Sequence, residues 1–508
     1  MMTSASNIAS EDAAVSSVHL TLSAQFDNVL AKIVEDKKVE VATRMQHMPI
    51  DELKKDLAKS TRSLEKAMGN SGADFILECK KASPSKGLIR EDFNLDEILA
   101  DYRDFASAIS VLTDNKYFQG QFTYLKKASE QTELPILCKD FFIDPYQVYE
   151  ARYHGADAIL LMLSVLDNEQ YQLLASIAQS LSLDVLTEVH SEQELERALA
   201  LGAKIIGINN RNLKDLSIDL ATTESLVSMI PEDRIVISES GISTHNDIKR
   251  LAPVVDGFLV GSSIMQQRNI RHHLKSLIFG NIKICGLTKP EDAVNVDLAG
   301  GNYGGLVFFP PSKRHLTIEQ AQTITAAAPL RYVGVFVDEE ADSLVTIAKA
   351  LNLYAVQLHG NEDAAYVKTI RDKLDHLGLE GIQIWKAIRV EQSIAFTPDD
   401  NINQYLLDAF HPTERGGSGE AFDWSLLASL DSMLEKQFME KQKFILAGGI
   451  DEQNLAQALD LDLYALDLSS GVESSPGEKS PHKIDAFFKK LSQEISKARD
   501  QLTANSNS

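Results

Sequence analysis

One pattern recurs sixteen times between residues 75 and 471 of this chain: an apolar run of four to six residues that ends abruptly at a charged, amide, hydroxyl or glycine residue. FILECK, PILCKD and DVLTEV are examples. The runs form two series of eight, over residues 75–263 and 282–471. Runs this continuously apolar are typical of strands that are buried on both faces, as in parallel sheets. The sequence therefore predicts two sets of eight parallel strands.

Helical patterns lie between the apolar runs. IDPYQVYEARYHGA and EQELERALALGA are two of them, and each closes near a glycine, which is a common helix stop. Eight strand–helix units in about 200 to 250 residues are the size of a (β/α)8 barrel. The 508 residues therefore predict an α/β fold of two tandem (β/α)8 TIM barrels. In that fold the chemistry lies on the loops that follow the strands.

The domain organisation follows from the two series. From Leu22 onward apolar residues recur at steps of three and four, and IDELKKDLAKS is a second helical pattern, so the first barrel carries an N-terminal helical extension. The expected segments are a disordered start at 1–21, the first barrel at 22–275, a short linker at 276–281, the second barrel at 282–495 and a polar tail at 496–508.

Composition limits the class of protein. A formal net charge of −23 argues against nonspecific binding to nucleic acid or to an anionic membrane, and no run approaches the ~18 apolar residues of a membrane span. Three cysteines without framework spacing are typical of a reducing compartment, and the start of the chain has neither signal nor transit character. We expect a cytoplasmic monomer with no nucleic-acid or membrane partner, no cofactor and no metal.

Polar side chains converge at one end of the first predicted barrel. Because strand side chains alternate between faces, Glu78 and Lys80 point the same way and Cys79 points the other. The charged pair must face the barrel axis, since burying it against helices would be costly. One buried ion pair is often structural, but so many charges at one barrel end indicate a functional site. Its candidate residues are Glu78, Lys80, Lys139, Glu188, Asn209, Arg211 and Glu239.

Two loops supply candidate phosphate-binding groups. Ser240 and Gly241 follow the seventh strand, and Gly261 and Ser262 follow the eighth. In this fold the loops after strands seven and eight are the usual phosphate site, where backbone N–H groups and hydroxyls bind the ligand. Either pair alone is weak evidence, whereas both together favour a phosphorylated ligand.

Six motifs in order resemble indole-3-glycerol-phosphate synthase across residues 22–275: ECKKASPSKG, CKDFFIDPYQ, LTEV, GINNRNL, SESGI and FLVGSSIM. The resemblance implies ring closure of 1-(2-carboxyphenylamino)-1-deoxyribulose 5-phosphate to an indole, with loss of CO2 and water. It makes Lys139 the general acid at the ribulose carbonyl. We expect neighbouring cations to lower the pKa of such a lysine, which would help it to donate a proton.

The same resemblance gives roles to the other residues of the first barrel. Lys80, paired with Glu78, positions the anthranilate carboxylate and assists dehydration. Glu188 is the acid/base of the later steps. Asn209 and Glu239 hold substrate hydroxyls and charge. Arg211 and Ser83 line the pocket.

The second barrel has a different set of reactive residues. Cys285 ends its first strand and Asp408 its sixth, so the thiol and the carboxylate should flank a pocket, as a base and an acid on opposite sides of a substrate would. A lone cysteine after an apolar strand is usually a core residue. Cys285 is distinguished by the motifs around it, namely PPSKRH with Arg314, VQLHG with His359, GGSG at 416–419, LAGG at 446–449 and LSSGVE at 468–473.

These motifs resemble phosphoribosylanthranilate isomerase over residues 282–495. The resemblance implies an Amadori rearrangement in which Asp408 protonates the ribose ring oxygen, Cys285 takes the proton from C2′ and Arg314 holds the anthranilate carboxylate. His359 is either a substrate-binding or a structural histidine. Ser480 stands where the family usually has Asp, and either residue can cap a helix. The implied phosphate-binding residues are Gly448, Gly449, Ser469, Ser470 and Gly471.

The two resemblances fit one pathway, because the product of the isomerase is the substrate of the synthase. The sequence therefore predicts two consecutive steps of tryptophan biosynthesis on anionic sugar phosphates, with the later step in the N-terminal barrel. One alternative is another pair of phosphate-binding barrels that acts on histidine-pathway sugars. A second is a pair in which one half has become a binding partner only, although neither series has lost the polar residues at its strand ends.

Overall fold

The computed structural model describes residues 30–55, 57–68, 73–212, 215–391, 394, 396–409, 423–429 and 440–496. Two compact units divide between Leu274 and Lys275. Each unit contains one closed barrel of eight parallel strands, which confirms the predicted fold class. All sixteen apolar runs are strands or parts of strands.

The first barrel closes where its first strand pairs in parallel with its last, with Asp74 opposite Gly257. Each of the other strands pairs in parallel with its neighbours along the chain. Its strands are β1 (Asp74–Cys79), β2 (Ala108–Leu112), β3 (Ile136–Lys139), β4 (Ala158–Met162), β5 (Asp184–Val189), β6 (Ile205–Asn209), β7 (Ile235–Glu239) and β8 (Gly257–Val260).

Several helices of the first barrel begin at side-chain caps, as at Asp144, Asp167 and Ser191. Asp144 accepts a hydrogen bond from the backbone N–H of Tyr146, and Pro145 occupies the first helical turn, where a missing N–H costs nothing. Gly202, at φ 76°, follows the helix Glu192–Ala200 as the glycine stop predicts. The other helices around this barrel are Leu95–Tyr102, Asn115–Phe118, Phe122–Gln131, Pro145–Tyr153, Asn168–Ser180, Ala221–Val227, His245–Leu251, Ser262–Met265 and Ile270–Phe279.

A helical extension precedes the first barrel, in agreement with the sequence pattern. Residues 30–47 form one helix, and Ile50–Lys54 and Leu64–Ala67 form two shorter ones. Leu64 and Met68 are buried in the core cluster that fills the barrel together with Ile76, Leu160 and Ile237. The extension therefore contributes side chains to the barrel's own hydrophobic core.

The second barrel closes in the same way, through Ile282 opposite Leu466. Its strands are β9 (Ile282–Cys285), β10 (Tyr303–Val307), β11 (Arg331–Phe336), β12 (Ala355–Leu358), β13 (Gln383–Val390), β14 (Gln404–Ala409), β15 (Phe444–Ala447) and β16 (Ala465–Leu468). Its α-helices are Pro290–Ala299, Ile318–Ala327, Ala341–Ala350, Ala364–His376, Leu455–Asp460 and Pro481–Ser496, with short 3-10 helices at Trp424–Ser429, Lys441–Lys443 and Ser470–Val472.

Aromatic side chains fill the amino-terminal end of the second barrel. The ring of Tyr303 packs against Tyr354 and Trp385, with centroids 5.5 and 5.4 Å apart, and its hydroxyl lies 2.7 Å from that of Tyr464. The guanidinium of Arg331 stacks over Tyr354. This end of the barrel is a packed, hydrogen-bonded plug, so a ligand site in this barrel must lie at the carboxyl ends of the strands.

The linker expected between the two barrels is mostly helical. The helix Ile270–Phe279 runs through the first four residues of the linker expected at 276–281, so most of that linker is helical, because its apolar residues continue the helical spacing of Ile270 and Leu274. Residues 1–29, which include the start of the helical pattern at Leu22, the GGSG motif at 416–419 and residues 497–508 lie outside the described residues. Within the described ranges no helix combines the length and the apolar character needed to cross a membrane.

Candidate active sites

The first site is a cavity of about 390 Å³ at the carboxyl ends of the first barrel's strands. The structure brings together nearly all of the residues predicted for it. Those that line the cavity are Glu78, Lys80, Ser83, Lys139, Glu188, Asn209, Arg211, Ser240, Gly241, Gly261 and Ser262. Glu239 is not among the lining residues, but its carboxylate accepts a hydrogen bond from Lys139. The alternation of side chains along the strands thus predicted which residues line this cavity.

Lysine and glutamate side chains form one buried network in this site. Lys139, the last residue of β3, donates a hydrogen bond to Glu239 at 2.8 Å and lies 3.3 Å from Glu78. Lys80 lies 2.5 Å from the other oxygen of Glu78. The two lysine side chains keep 15% of their surface exposed, whereas those of Glu78 and Glu239 keep 2% and 1%. The lysines are therefore the members of the network that can reach a ligand.

The charges of this network set its proton affinities. Burial raises the pKa of Glu78, but the ammonium groups of Lys80 and Lys139 outweigh it and bring that pKa down to about 2. Burial opposes the charge of Lys139, yet the surrounding Glu239, Glu78 and Glu188 raise its pKa. The expectation of a lysine pKa lowered by cations was wrong, because the neighbours of Lys139 in the fold are carboxylates.

Of the two carboxylates that contact Lys139, Glu239 holds a proton more readily than Glu78. Burial and repulsion from Glu188 and Glu78 raise its pKa to about 7, although the hydrogen bond from Lys139 acts in the opposite direction. Three carboxylates share two lysines here, so one of the three lacks a full counter-charge. A group that titrates near neutral pH beside a lysine can exchange a proton with that lysine during a reaction.

Of the two loops predicted to bind phosphate in the first barrel, the one that follows β7 has a backbone conformation that favours close ligand approach. Ser240 and Gly241 have φ of 65° and 87°, so their N–H groups turn away from the strand direction. A Cβ at Gly241 would press on Ile218 at 2.5 Å. Gly261 precedes the short helix Ser262–Met265. Residues of both loops line the cavity.

Lys86 is a residue of this site that the sequence reasoning missed. It lines the cavity from the loop between the two short strands Ala82–Ser83 and Gly87–Leu88. Burial and the nearby charges of Arg211 and Lys80 lower its pKa. Three cations at one wall would attract an anionic ligand. The signal was present in the motif ECKKASPSKG, whose last lysine follows a turn rather than a strand.

The second site is a smaller cavity, of about 70 Å³, at the carboxyl ends of the second barrel's strands. Cys285 and Asp408 both line it, so they flank one pocket as predicted from their strand positions. The other predicted residues that line it are Arg314, His359, Gly448, Gly449, Ser469 and Ser470. Gly471 lies in the 3-10 helix Ser470–Val472, where a Cβ would collide with the carbonyl of Ile450.

His359 is joined to Asp408 rather than buried for structure alone. Its Nε2 lies 3.2 Å from an oxygen of Asp408, and its Nδ1 lies 3.0 Å from the amide nitrogen of Gln357. Because the amide nitrogen can only donate, Nδ1 is the acceptor and the ring proton is on Nε2, directed at Asp408. His359 therefore orients the carboxylate predicted to be the acid.

Cys285 sits beside a buried ion pair. Lys283, two residues earlier on the same face of β9, lies 2.7 Å from Asp467. Burial raises the pKa of the Cys285 thiol and Asp467 adds to this, whereas Lys283 and Lys479 lower it, and the net shift is upward. Cys285 is half-buried, while Cys79 and Cys138 are fully buried. The thiol is protonated at rest and has two ammonium groups near it.

Arg314 has a partner that the sequence did not reveal. Its Nε and Nη2 donate to the two oxygens of Glu473 at 2.9 and 2.7 Å, and Lys479 donates to Glu473 at 2.7 Å. Glu473 and Lys479 belong to a small hairpin after β16. Bidentate pairing fixes the direction of a guanidinium. Arg314 is thus held at the cavity wall by a residue 159 positions further along the chain.

Neither site has the ligand set of a metal centre. Within the described ranges no three His, Cys, Asp or Glu side chains are placed to hold a metal ion. The polar groups at both sites are those of proton transfer and anion binding.

Two closed parallel barrels, each with acid/base groups and a pair of glycine-containing loops at its strand carboxyl ends, define a double-barrel enzyme for phosphorylated substrates. The sequence model of the indole-3-glycerol phosphate synthase family matches residues 30–277. The sequence model of the N-(5'phosphoribosyl)anthranilate (PRA) isomerase family matches residues 282–490. The chain belongs to the TrpCF family of tryptophan biosynthesis proteins. It is a bifunctional enzyme, with a decarboxylating lyase in its first barrel and an isomerase in its second.

The chain is similar to its relatives over nearly its whole length. Tryptophan biosynthesis protein TrpCF of Vibrio cholerae is 48% identical over 476 residues, which cover 94% of this chain and 98% of that protein. The protein of the same name from Haemophilus influenzae is 47% identical over 474 residues, which cover 91% and 97%. A crystal structure of phosphoribosyl anthranilate isomerase from Thermus thermophilus, 33% identical, covers 42% of this chain and 98% of that one, with a TM-score of 0.35.

Proposed function

We propose that the second barrel isomerises N-(5-phosphoribosyl)anthranilate to 1-(2-carboxyphenylamino)-1-deoxyribulose 5-phosphate, and that the first barrel closes this product to indole-3-glycerol phosphate. The observation that carries the proposal is the difference between the two sites. One cavity has a single acid opposite a single base, as an Amadori rearrangement requires, and the other has a lysine–carboxylate network, as a ring closure with dehydration requires.

In the isomerase, Asp408 protonates the ribose ring oxygen, and the ring opens to a Schiff base. The Nε2 of His359 lies 3.2 Å from one oxygen of this carboxylate, and this contact helps to direct the other oxygen at the substrate. Cys285 then takes the proton from C2′ to give an enol, which relaxes to the ketone. The thiol must lose its proton first, and the ammonium groups of Lys283 and Lys479 stabilise the thiolate that forms.

The isomerase substrate is held at its two charged ends, which are the anthranilate carboxylate and the phosphate. Arg314, fixed by Glu473, faces the cavity and binds the anthranilate carboxylate. The backbone N–H groups of Gly448, Gly449, Ser469 and Ser470 bind the phosphate. Gly448 and Gly449 have φ of 84° and 64°, a conformation that turns successive N–H groups toward one anion.

In the synthase, a carbon of the anthranilate ring attacks the ribulose carbonyl carbon, and Lys139 protonates the carbonyl oxygen as this bond forms. CO2 is lost once the ring carries an iminium that can accept the electrons, which restores the benzene ring, and dehydration then completes the indole. Lys80 positions the substrate carboxylate and assists dehydration, while Glu188 transfers the protons of the later steps. Glu239, with a pKa of about 7, returns a proton to Lys139 between turnovers. Asn209, Arg211 and Ser83 contact the rest of the substrate from the cavity wall.

One experiment tests both halves together. Phosphoribosylanthranilate supplied to the purified chain should lose its anthranilate fluorescence and give indole-3-glycerol phosphate without any added enzyme. Isolation of the carboxyphenylamino sugar as the final product would contradict the synthase assignment, and unchanged substrate would contradict the isomerase assignment. Size-exclusion chromatography with light scattering tests the expected monomer, and fractionation of cells tests the expected cytoplasmic location.

A further inference from the structure

His190 lies directly behind Glu188 in the first barrel. It follows β5 immediately, and its Nε2 is 3.3 Å from Oε1 of Glu188. Its Nδ1 is 3.3 Å from Oε2 of Glu194, which also accepts the backbone N–H of His190 at 2.8 Å. The histidine side chain is 12% exposed. The imidazole is thus held between two carboxylates, one from the strand end and one from the following helix.

The contact with Glu188 leaves that carboxylate available to a ligand. Glu188 lines the cavity, whereas His190 does not. Among the described residues Oε1 of Glu188 has no hydrogen-bond partner, so its contact with His190 is one of charge rather than of a directed hydrogen bond. The side chain of Glu188 is 3% exposed, and an isolated carboxylate so deeply buried would favour its neutral form.

We propose that His190, fixed in place by Glu194, is a positioning residue of the synthase site that places a positive charge behind Glu188 and directs that carboxylate at the substrate. The inference rests on the proposed acid/base role of Glu188. The charged groups that face His190 are Glu188 from β5, Glu194 from the helix Glu192–Ala200 and Glu239 from β7. A cationic ring among three carboxylates offsets the repulsion that Glu188 would otherwise receive from Glu239.

The balance of effects on His190 agrees with this arrangement. Burial lowers its pKa, but the hydrogen bond with Glu194 and the charges of Glu188, Glu194 and Glu239 outweigh burial and raise that pKa. The imidazolium is therefore present over the pH range in which carboxyl groups titrate. Removal of the imidazolium takes away the positive charge next to Glu188, so a reaction that needs a negative charge at this position should lose activity first at low pH.

The test is the pH profile of kcat for ring closure, measured with the carboxyphenylamino sugar phosphate supplied directly. In His190→Asn the acidic limb should move to higher pH by about one unit, so that kcat falls about tenfold at low pH and stays near the parent value at high pH. Glu194→Gln, which keeps the ring, should move the limb in the same direction by less. His154→Asn is the matched control, because His154 packs on Phe122 away from the cavity, and its profile should match the parent.

Each outcome is decisive for one proposal. An acidic limb that stays in place in His190→Asn overturns the inference, and so does an equal loss at all pH values, which a merely structural role would give. If His190→Asn does not fold, the shift in Glu194→Gln decides. Glu188→Gln separates the two proposals: full activity in that variant removes the role of Glu188 itself, whereas an inactive Glu188→Gln beside an unchanged His190→Asn profile removes only the role of His190.

Discussion

The reactive groups contact one another in the first barrel and are separated from one another in the second. In the first, Lys80, Lys139, Glu78 and Glu239 touch one another in a single network, and each charge depends on the others. In the second, Cys285 and Asp408 stand on opposite sides of the cavity, and each has its own neighbour, the Lys283–Asp467 pair or His359. The same closed frame of eight strands thus supports a shared charge network in one case and two separate groups in the other.

The difference follows from where polar residues fall on the strands. Lys139 and Glu239 end strands four apart in the ring, and long side chains let them meet near the axis. Cys285 has a short side chain and cannot reach across. Removal of one member of a buried network leaves another buried charge without compensation, whereas removal of a separate group does not. The first site should therefore respond to substitution in more ways than the second.

The largest expected effect separates the two reactions. Lys139→Ala should lower the rate of indole formation by about a thousandfold, because the general acid is lost, and should leave isomerisation near the parent rate. Asp408→Asn should do the reverse. The two reactions are measured separately, each with its own substrate. Loss of both activities in either folded variant would show that the sites are not independent.

The second-largest effect is expected in the reactivity of the cysteine thiols, which should differ between the two barrels. A mild alkylating agent should modify Cys285 before Cys79 or Cys138, because only Cys285 is half-buried, and should inactivate the isomerase alone. Burial raises the pKa of the Cys285 thiol, so labelling should accelerate as the pH rises. Mass spectrometry of digested protein locates the label. An isomerase inhibitor should protect the thiol and a synthase inhibitor should not; label on Cys138 first would contradict the side-chain directions.

Substitutions in the phosphate loops should affect one KM each. Gly241→Val should raise the KM of the synthase, and Gly449→Val that of the isomerase, by about tenfold, since a side chain and a strained positive φ displace the N–H groups. Gly202→Ala is the control: it shares the positive φ but has open space around it, and it lies outside the cavity. Unchanged KM values in both loop variants would remove the phosphate assignment.

The smallest effect is one of stability. The pKa of Glu239 is raised from 4.5 to about 7, so the folded state binds more protons than the unfolded state between these values, and ionisation costs stability as the pH rises through that window. Glu239→Gln cannot ionise. The first barrel's free energy of unfolding should therefore fall less between pH 5 and pH 8 in the variant than in the parent, by about 1 to 3 kcal/mol.

Far-UV circular dichroism in denaturant measures this difference for the chain. Tryptophan fluorescence provides an internal control, because the only two tryptophans of the sequence, Trp385 and Trp424, belong to the second barrel. Their transition should be the same in parent and variant at both pH values. A fall with pH that is equal in Glu239→Gln and in the parent would show that Glu239 is not the group that titrates.

Sequence patterns predicted the frame and most of the cavity walls because both depend on local periodicity. Alternation along a strand places Glu78 and Lys80 on one face, and the structure shows them paired. The same rule, applied to KIC and LDLS, would also have found Lys283 and Asp467, which lie two residues before Cys285 and Ser469.

Other features could not be predicted in this way because they depend on distances between remote segments. The pairing of Arg314 with Glu473 joins two loops, and nothing in either motif specifies the partner. The direction of the pKa shift of Lys139 depends on whether cations or carboxylates surround its ammonium group. Only the register and closure of the strands decide that question.

The aromatic plug of the second barrel has a consequence for how such a chain can change. Tyr303, Trp385 and Tyr464 pack the amino-terminal end of the barrel, while the acid and the base stand on the opposite rim. Rigidity and reactivity are therefore assigned to different ends of the same strands. New specificities can arise by exchange of rim residues while the other end preserves the folded frame, which makes this barrel tolerant of functional innovation.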